Sequence, residues 1–364
     1  MRKIMLTIGC LLPTLLASGQ STKVLTAEKS NEYGLVYSLP TTALEIEVTA
    51  SHQVGKKGPY YLYAKKSIGA EKAIAEDYEK WTITDVTVRP YGVPDASTQY
   101  LMQLKPGATT SITVDPNGML LAINKEVKGT KASPGAKQPA KEKVNWPTGN
   151  EYLDFVDEDF VASKSSAKQA QLLAESLMEV REAKLALTRG TADAMPADGK
   201  QMELMLASLG QQEAALNAAF TGSVTSETVT RKFTFIPEGD SKDILFRMSD
   251  FAGFVDADDL SGDPVYIQVE TLNQATLPVD AKGEAKKLPK NAVIYNIPGS
   301  AQVTISSLDK KLFEKEIQMS QLGMTFGLDP LLFTDKKEPS FAVFDPVTGA
   351  LLEIGSVQRA GSND

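Results

Sequence analysis

The chain has 364 residues, 42% of them hydrophobic, a formal net charge of −8, one cysteine and one histidine. That length and apolar content suffice for sizeable cores, while a single cysteine excludes an internal disulfide and a thiolate metal cage. A single histidine excludes a multi-histidine zinc site, and the acidic balance argues against a nucleic-acid partner, which requires a basic face.

Residues 1–19 carry the three parts of a secretory signal. Arg2 and Lys3 supply charge, "IMLTIGCLLPTLL" the apolar stretch, and "ASG" a small-residue cleavage site ahead of Gln20. The apolar stretch is short and interrupted by Pro13, so no retained membrane anchor is expected, and no later stretch approaches a spanning length. The chain is therefore expected to be exported, to the periplasm or the outer membrane. Lipidation at Cys10 is the alternative to its removal with the signal, although Thr7 stands where a lipobox usually has leucine.

Residues 20–124 form an expected N-terminal β domain. "ALEIEVTA" and "WTITDVTVRP" alternate apolar and polar residues, as half-buried strands do. Pro90 and Pro94 are expected to bracket a turn. "SITVDPNGMLLAI" is predicted as strand, turn and strand, with Pro116 setting φ and Gly118 free to take a positive φ. "YYLYAKKSIGAEKAIAEDYEK" is the one stretch here that favours helix. His52 directly follows a predicted strand, a position expected at the surface.

Residues 125–150 have no apolar period and are rich in lysine, proline and glycine, the composition of a linker. Residues 151–222 change character. Leu173, Leu177, Val180, Ala183 and Leu187 recur at helical spacing, with Gly190 as the expected terminator. Asp198 is placed to cap the next helix with Gln201 three positions on, and Met202, Met205, Leu206, Leu209, Leu216 and Phe220 make its apolar face. A short connection between two long helices predicts an antiparallel hairpin, facing either its own sheets or a partner. Residues 223–364 return to strands: "ETVTRKFTFIP", "DILFRMS", "DPVYIQVETL", "QVTISS", "EKEIQM" and "SFAVFDPVTGALLEIG".

Two segments of the first β region return in the same order in the last. "YSLPTTALEIEV" from Tyr37 resembles "YNIPGSAQVTI" from Tyr295, and "DPNGMLLAI" from Asp115 resembles "DPVTGALLEI" from Asp345. Their shared order points to duplication of a β unit, against the alternative that hairpins reuse the same turn chemistry.

Candidate chemistry centres on "VDADDLSGD", where Asp256, Asp258, Asp259 and Asp263 crowd together. An EF-hand register starting at Asp256 fails, with Leu260 and Ile267 at ligand positions. A register starting at Asp259 sets Pro264 at the glycine position and a strand where a helix is required. An irregular calcium site among these four is the rival to a solvated acidic turn. Carboxylate pairs for acid–base work, here or in "DFVDEDF" at 154–160, would need an apolar pocket that sequence does not reveal. Ser165 and Lys168 have the spacing of Ser/Lys acylases, yet the companion Lys-Thr-Gly element is missing. Any Ser-His-Asp triad would have to use His52.

The stretch "REAKLALTRGTADAMPADGKQMELMLASLGQQEAALNAAFTG" closely resembles an exported Bacteroidota family known as a domain of unknown function, the 4831 family. "VDADDLSGDPVYI", "YNIPGSAQVTI" and "YSLPTTALEIEV" extend the likeness over essentially the whole mature chain. Asp263 departs from it, standing where glutamate is expected. The resemblance implies export from a Gram-negative cell and transfers no functional residue.

The expected architecture is α+β and mainly β, with two β-sandwich-like domains and an inserted long antiparallel helical hairpin. No catalytic or cofactor-binding residue is assigned, and no cofactor is expected, calcium being the rival. The expected function is a non-enzymatic envelope binding or scaffold module with a protein or glycan partner. The alternative is a carboxylate-dependent hydrolase or calcium-dependent glycan binder using the 256–263 turn.

Overall fold

The computed structural model describes residues 34–103, 110–127, 144–308, 310–334 and 338–357. The expected signal at 1–19, Cys10 and most of the 125–150 linker lie outside the described residues.

The first half runs β1 (Gly34–Lys56), α1 (Ala64–Ile68), β2 (Tyr78–Gln103), β3 (Ile112–Val114) and β4 (Leu120–Ile123). The helical part follows as α2 (Glu158–Ala162), α3 (Ser166–Arg189) and α4 (Gly199–Thr221). Then come β5 (Ser223–Phe235), β6 (Ser241–Ser249), β7 (Gly253–Val255), β8 (Asp263–Asn273) and β9 (Val293–Ser307). The chain closes with β10 (Lys310–Leu328), α5 (Leu331–Thr334), β11 (Ser340–Phe344) and β12 (Leu351–Ser356). The protein is mainly β with a helical hairpin, as its periodicity predicts.

The strands form three sheets, ordered β2-β1-β5, β10-β9-β8-β6-β7 and β12-β11-β4-β3. Alternation in β1 turns Leu44, Ile46, Val48 and Ala50 to one face, and all four are fully buried. They pack against Val265, Ile267 and Val269 of β8 and Val303 and Ile305 of β9. Phe233 stacks on Phe246 across the same interface at 4.7 Å. Each Val, Leu or Ile side chain so buried contributes about 1.5–3 kcal/mol.

The first and last β segments thus share a core, and they share a second one. The early parts of β1 and β9 leave the sandwich and bring Tyr37, Leu39, Val293 and Ile294 against Leu120, Ile123, Ala342 and Phe344 of the third sheet. Both long hairpins break register beside a proline as they cross over. Between Ser38↔Gln99 and Pro40↔Pro94, residues 95–98 of β2 bulge out. Between Ile297↔Met324 and Gly299↔Met319, residues 320–323 of β10 bulge opposite Pro298. A proline has no N–H to lose from the ladder, so the break falls where the backbone gives up least.

The expected turn at Pro90 and Pro94 is corrected. Both residues lie inside β2, opposite Leu44 and Pro40. β2 is an edge strand, and its unpaired side tolerates residues without an N–H. The helix expected over residues 60–80 is also shorter. It stops at Gly69, and the Ile74 N–H bonds to the Thr221 carbonyl at the end of α4 instead of to its own chain.

The helices stand at the end of the first sheet. Leu173 and Leu177 of α3 and Leu216 and Phe220 of α4 meet Tyr60, Tyr152 and Phe160 in a third cluster. Asp198 Oδ1 accepts the Gln201 N–H at 2.8 Å while Gln201 Oε1 accepts from Ala197 at 3.0 Å, completing the cap of α4. The buried residues of the hairpin lie mostly at this anchored end. Beyond it α3 buries only Leu187, and α4 buries nothing ahead of Leu216, so the rest projects as an arm.

Candidate functional site

The single histidine does not stand at the surface at a strand end. His52 lies inside β1, past Ala50 on the core face, and is buried. Antiparallel pairing sets it opposite Trp81 of β2 and opposite Glu227 of β5. Its Nδ1 lies 3.2 Å from Glu227 Oε1 and its Nε2 lies 2.7 Å from Glu79 Oε1. The imidazole stacks on Trp81 at 4.1 Å with the planes 6° apart, and Trp146 closes over it at 4.7 Å and 55°. The histidine and both tryptophans of the chain therefore converge at one place. Both ring nitrogens are taken by carboxylates, so neither is available as a general base.

Trp81, Trp146, Glu79 and Glu227 have no motif in the sequence. Only the rarity of histidine and tryptophan could have drawn attention to them, because register and the path of residues 144–150 decide their meeting.

The acidic turn is built around an arginine. Arg247 of β6 donates from Nε to the Ala257 carbonyl at 2.9 Å and from Nη1 to the Gly262 carbonyl at 3.1 Å. Asp256, Asp258, Asp259 and Asp263 are all exposed. Asp259 Oδ1 accepts the Ser261 N–H at 2.9 Å, and that bond, with Arg247 nearby, holds its carboxyl below the usual carboxylate range. The Asp256 carbonyl accepts the Asp259 N–H, and Asp263 begins β8 opposite Met248. Among the described residues no three histidine, cysteine, aspartate or glutamate side chains are grouped so as to hold a metal ion.

The remaining candidates have structural roles. Ser165 caps α3, its Oγ accepting the backbone N–H of Lys168, so the Ser-x-x-Lys spacing is that of a helix cap. Asp157 caps α2 by accepting from Phe160 at 2.8 Å. A hollow of about 880 Å³ between α1 and α3 is lined by Tyr63, Ala174 and Met178 together with exposed Lys66, Lys168 and Glu175, and His52 is not part of it.

The arm carries the apolar surface. Arg181 and Lys184 of α3 both bond Glu213 of α4 at 3.0 Å, which holds the Glu213 carboxyl below the ordinary glutamate range. Toward the tip a hollow of about 500 Å³ is lined by Ala183, Ala186, Leu187, Met205, Ser208 and Leu209. Elsewhere on the arm Leu204 is 64% exposed, and Leu185 and Met195 are 45% and 46% exposed. No described helix is long and apolar enough to cross a membrane.

A family model described as Domain of unknown function (DUF4831) matches residues 33–352. No curated protein and no solved structure matches the chain.

Proposed function

The chain belongs to the DUF4831 family, and on that premise we propose that it is a non-enzymatic binding or scaffold module of the bacterial envelope. In this reading a signal peptide at 1–19 exports it from a Bacteroidota cell to the periplasm or the outer membrane. The β frame carries the load, and the helical arm meets an envelope protein through its tip.

One observation carries the proposal: a helical hairpin anchored at one end presents Leu185, Met195, Leu204 and the Met205 hollow at the other. Exposed large apolar side chains on the projecting arm of an otherwise acidic chain support an interaction face. The residues a catalytic reading would enlist are already engaged. His52 is held at both nitrogens, Ser165 caps a helix and Arg247 ties the acidic turn. The calcium or carboxylate alternative gains no support from an exposed turn whose centre holds a guanidinium.

An internal duplication of the β unit belongs to the same reading. It is supported by matching bonds: Ser38 donates its N–H to the Gly118 carbonyl at 2.9 Å and Asn296 donates to Gly349 at 3.1 Å. A superposition matched at Ser38 and Asn296 that left the two hairpins out of register would count against it.

The test is site-specific photocrosslinking in intact cells, with the probe at Leu204 or, as a control, at Thr87 on the outer face of the first sheet. A single adduct is expected from position 204 only, with a protein whose purified form binds the wild-type chain and not Met205→Asp. No adduct at 204 would overturn the arm as the docking face. Turnover of a glycan or peptide library, lost on changing one of the four aspartates, would overturn the non-enzymatic reading.

A further inference from the structure

We propose that the chain pairs with a second copy of itself through the face of α3 that lines the hollow beside α1, the two α3 helices running antiparallel about a twofold axis at Glu175.

The helix period sets that face. Lys168, Gln171, Glu175, Met178 and Glu182 follow one another at steps of three and four, so they form one stripe along α3. All five line the hollow, with Ala174 beside them and Lys66 of α1 adding a second cation. The other faces of α3 are occupied within the chain. Leu173 and Leu177 turn to the third core cluster, and Arg181 and Lys184 bond Glu213 of α4. The ion pair beside α1 belongs to Lys65 and Glu71. Lys66, Lys168, Glu175, Glu179 and Glu182 are exposed, and among the described residues none of them is in an ion pair.

Charge on the stripe reverses from end to end. Lys168 stands in the first turn of α3, and Glu179 and Glu182 follow about 17 and 21 Å further along at 1.5 Å per residue. A stripe that is positive at one end and negative at the other complements itself when two copies run antiparallel, the arrangement a twofold axis produces. An axis at Glu175 sets Lys168 of each copy beside Glu182 of the other and Gln171 beside Glu179, and it joins the apolar patches of Ala174 and Met178. Met178 is 42% exposed without such a cover. Glu175 then meets its own copy, a like-charge contact that this register creates; Gln171 Nε2 already donates to its Oε1 at 2.7 Å. Leu204 and the Met205 hollow lie outside the face, so each copy keeps its arm tip for the partner proposed above.

The experiment is sedimentation equilibrium of the full chain from about 1 to about 100 μM, at about 0.05 M and about 0.5 M salt. A dimer that weakens with salt is expected. Lys168→Glu and Glu182→Lys should each raise its dissociation constant about tenfold or more, because each sets like charges together at both ends. The double variant Lys168→Glu/Glu182→Lys should recover the wild-type value, and Glu175→Gln should tighten the dimer. These signs are specific to the register: on a chain of net charge −8, Glu182→Lys would otherwise favour association. Met205→Asp should leave the dimer unchanged, so this pairing and docking through the arm fail separately. Where a reversal lowers the melting temperature, Glu175→Cys in a Cys10→Ser chain reads the geometry independently. Under a mild oxidant it should form a disulfide-linked dimer, and Glu203→Cys on α4 should not. A wild type that stays monomeric to about 100 μM would overturn the pairing and leave the hollow to a partner of another sequence. Single reversals without effect, a double variant that does not recover, or equal crosslinking at the two cysteine positions would overturn it as well.

Discussion

Tyr37 and Ile294 lie 257 residues apart, and the Tyr37 phenol serves both backbone polar groups of Ile294. Its oxygen accepts the Ile294 N–H at 2.9 Å and donates to the Ile294 carbonyl at 3.2 Å, all buried. This contact pins β1 to β9 where the two strands pass from one core to the next. Burial pushes the phenol far above the ordinary tyrosine range, so it stays protonated and can keep donating. Tyr37→Phe retains the ring and its stack on Tyr100 but leaves both groups of Ile294 unpaired. The expected loss is about 1–3 kcal/mol for each buried group left unsatisfied. Urea unfolding measures it, and a loss within error of zero would mean that water replaces the phenol.

The paired glycines give a comparison within one molecule. Gly118 and Gly349 both take left-handed backbone, at φ 83° and 73°, in turns that accept from Ser38 and Asn296. A Cβ at Gly118 would meet open space, whereas at Gly349 it would come within 2.8 Å of Pro40 Cδ and 3.0 Å of Asn296 Nδ2. Gly118→Ala should cost about 1–2 kcal/mol from backbone strain alone. Gly349→Ala should cost more, because the turn must also shift from Pro40. Equal losses in thermal unfolding would show that the two turns are not differently constrained.

These turns also show what was legible before any coordinates. Asp115 accepts from Asn117 and Met119, and Asp198 accepts from Gln201. Such bonds close within a few residues, so composition and spacing foretell them. Pro90 and Pro94 misled for the opposite reason. A proline is a turn signal locally, and only the edge position of β2 lets it remain in a strand. His52 was hidden more deeply, since Trp81, Glu227 and Trp146 reach it through pairings that no local pattern encodes. The acidic turn was legible as a turn, but its central Arg247 lies on β6, one strand further back than β7, with nothing in its spacing to point inward.

The arm should loosen in acid. Hydrogen bonds from Lys184 and Arg181 lower the Glu213 carboxyl, so the folded chain binds a proton there less readily than the unfolded one. Its stabilising contribution is therefore complete above the ordinary glutamate value of about 4.3 and is lost as pH falls through the lowered folded value. Hydrogen exchange along α3 and α4, compared with Glu213→Gln, reads this directly. The wild-type arm should gain exchange in acid after correction for intrinsic rates, while the variant should exchange faster at neutral pH and change little further. An arm whose acid response survives Glu213→Gln would place the titrating group elsewhere.

The guanidinium at the acidic turn leads to the last prediction. Arg247 bonds the carbonyls of Ala257 and Gly262 while four exposed aspartates surround the loop. Arg247→Met keeps the aliphatic stem and removes both bonds, so it should cost about 1 kcal/mol and speed exchange over residues 256–262. The same arrangement bears on calcium. Extracellular calcium modules bind at about 10⁻⁴–10⁻³ M through several converging oxygens. Here two backbone carbonyls already face a fixed positive charge, and the aspartate side chains are turned to solvent. Calcium at about 10 mM, above that range, should therefore leave the wild-type melting temperature unchanged. A rise that disappears in Asp258→Asn would show that the loop rearranges around the ion, and would restore the calcium-dependent glycan binder as the better account.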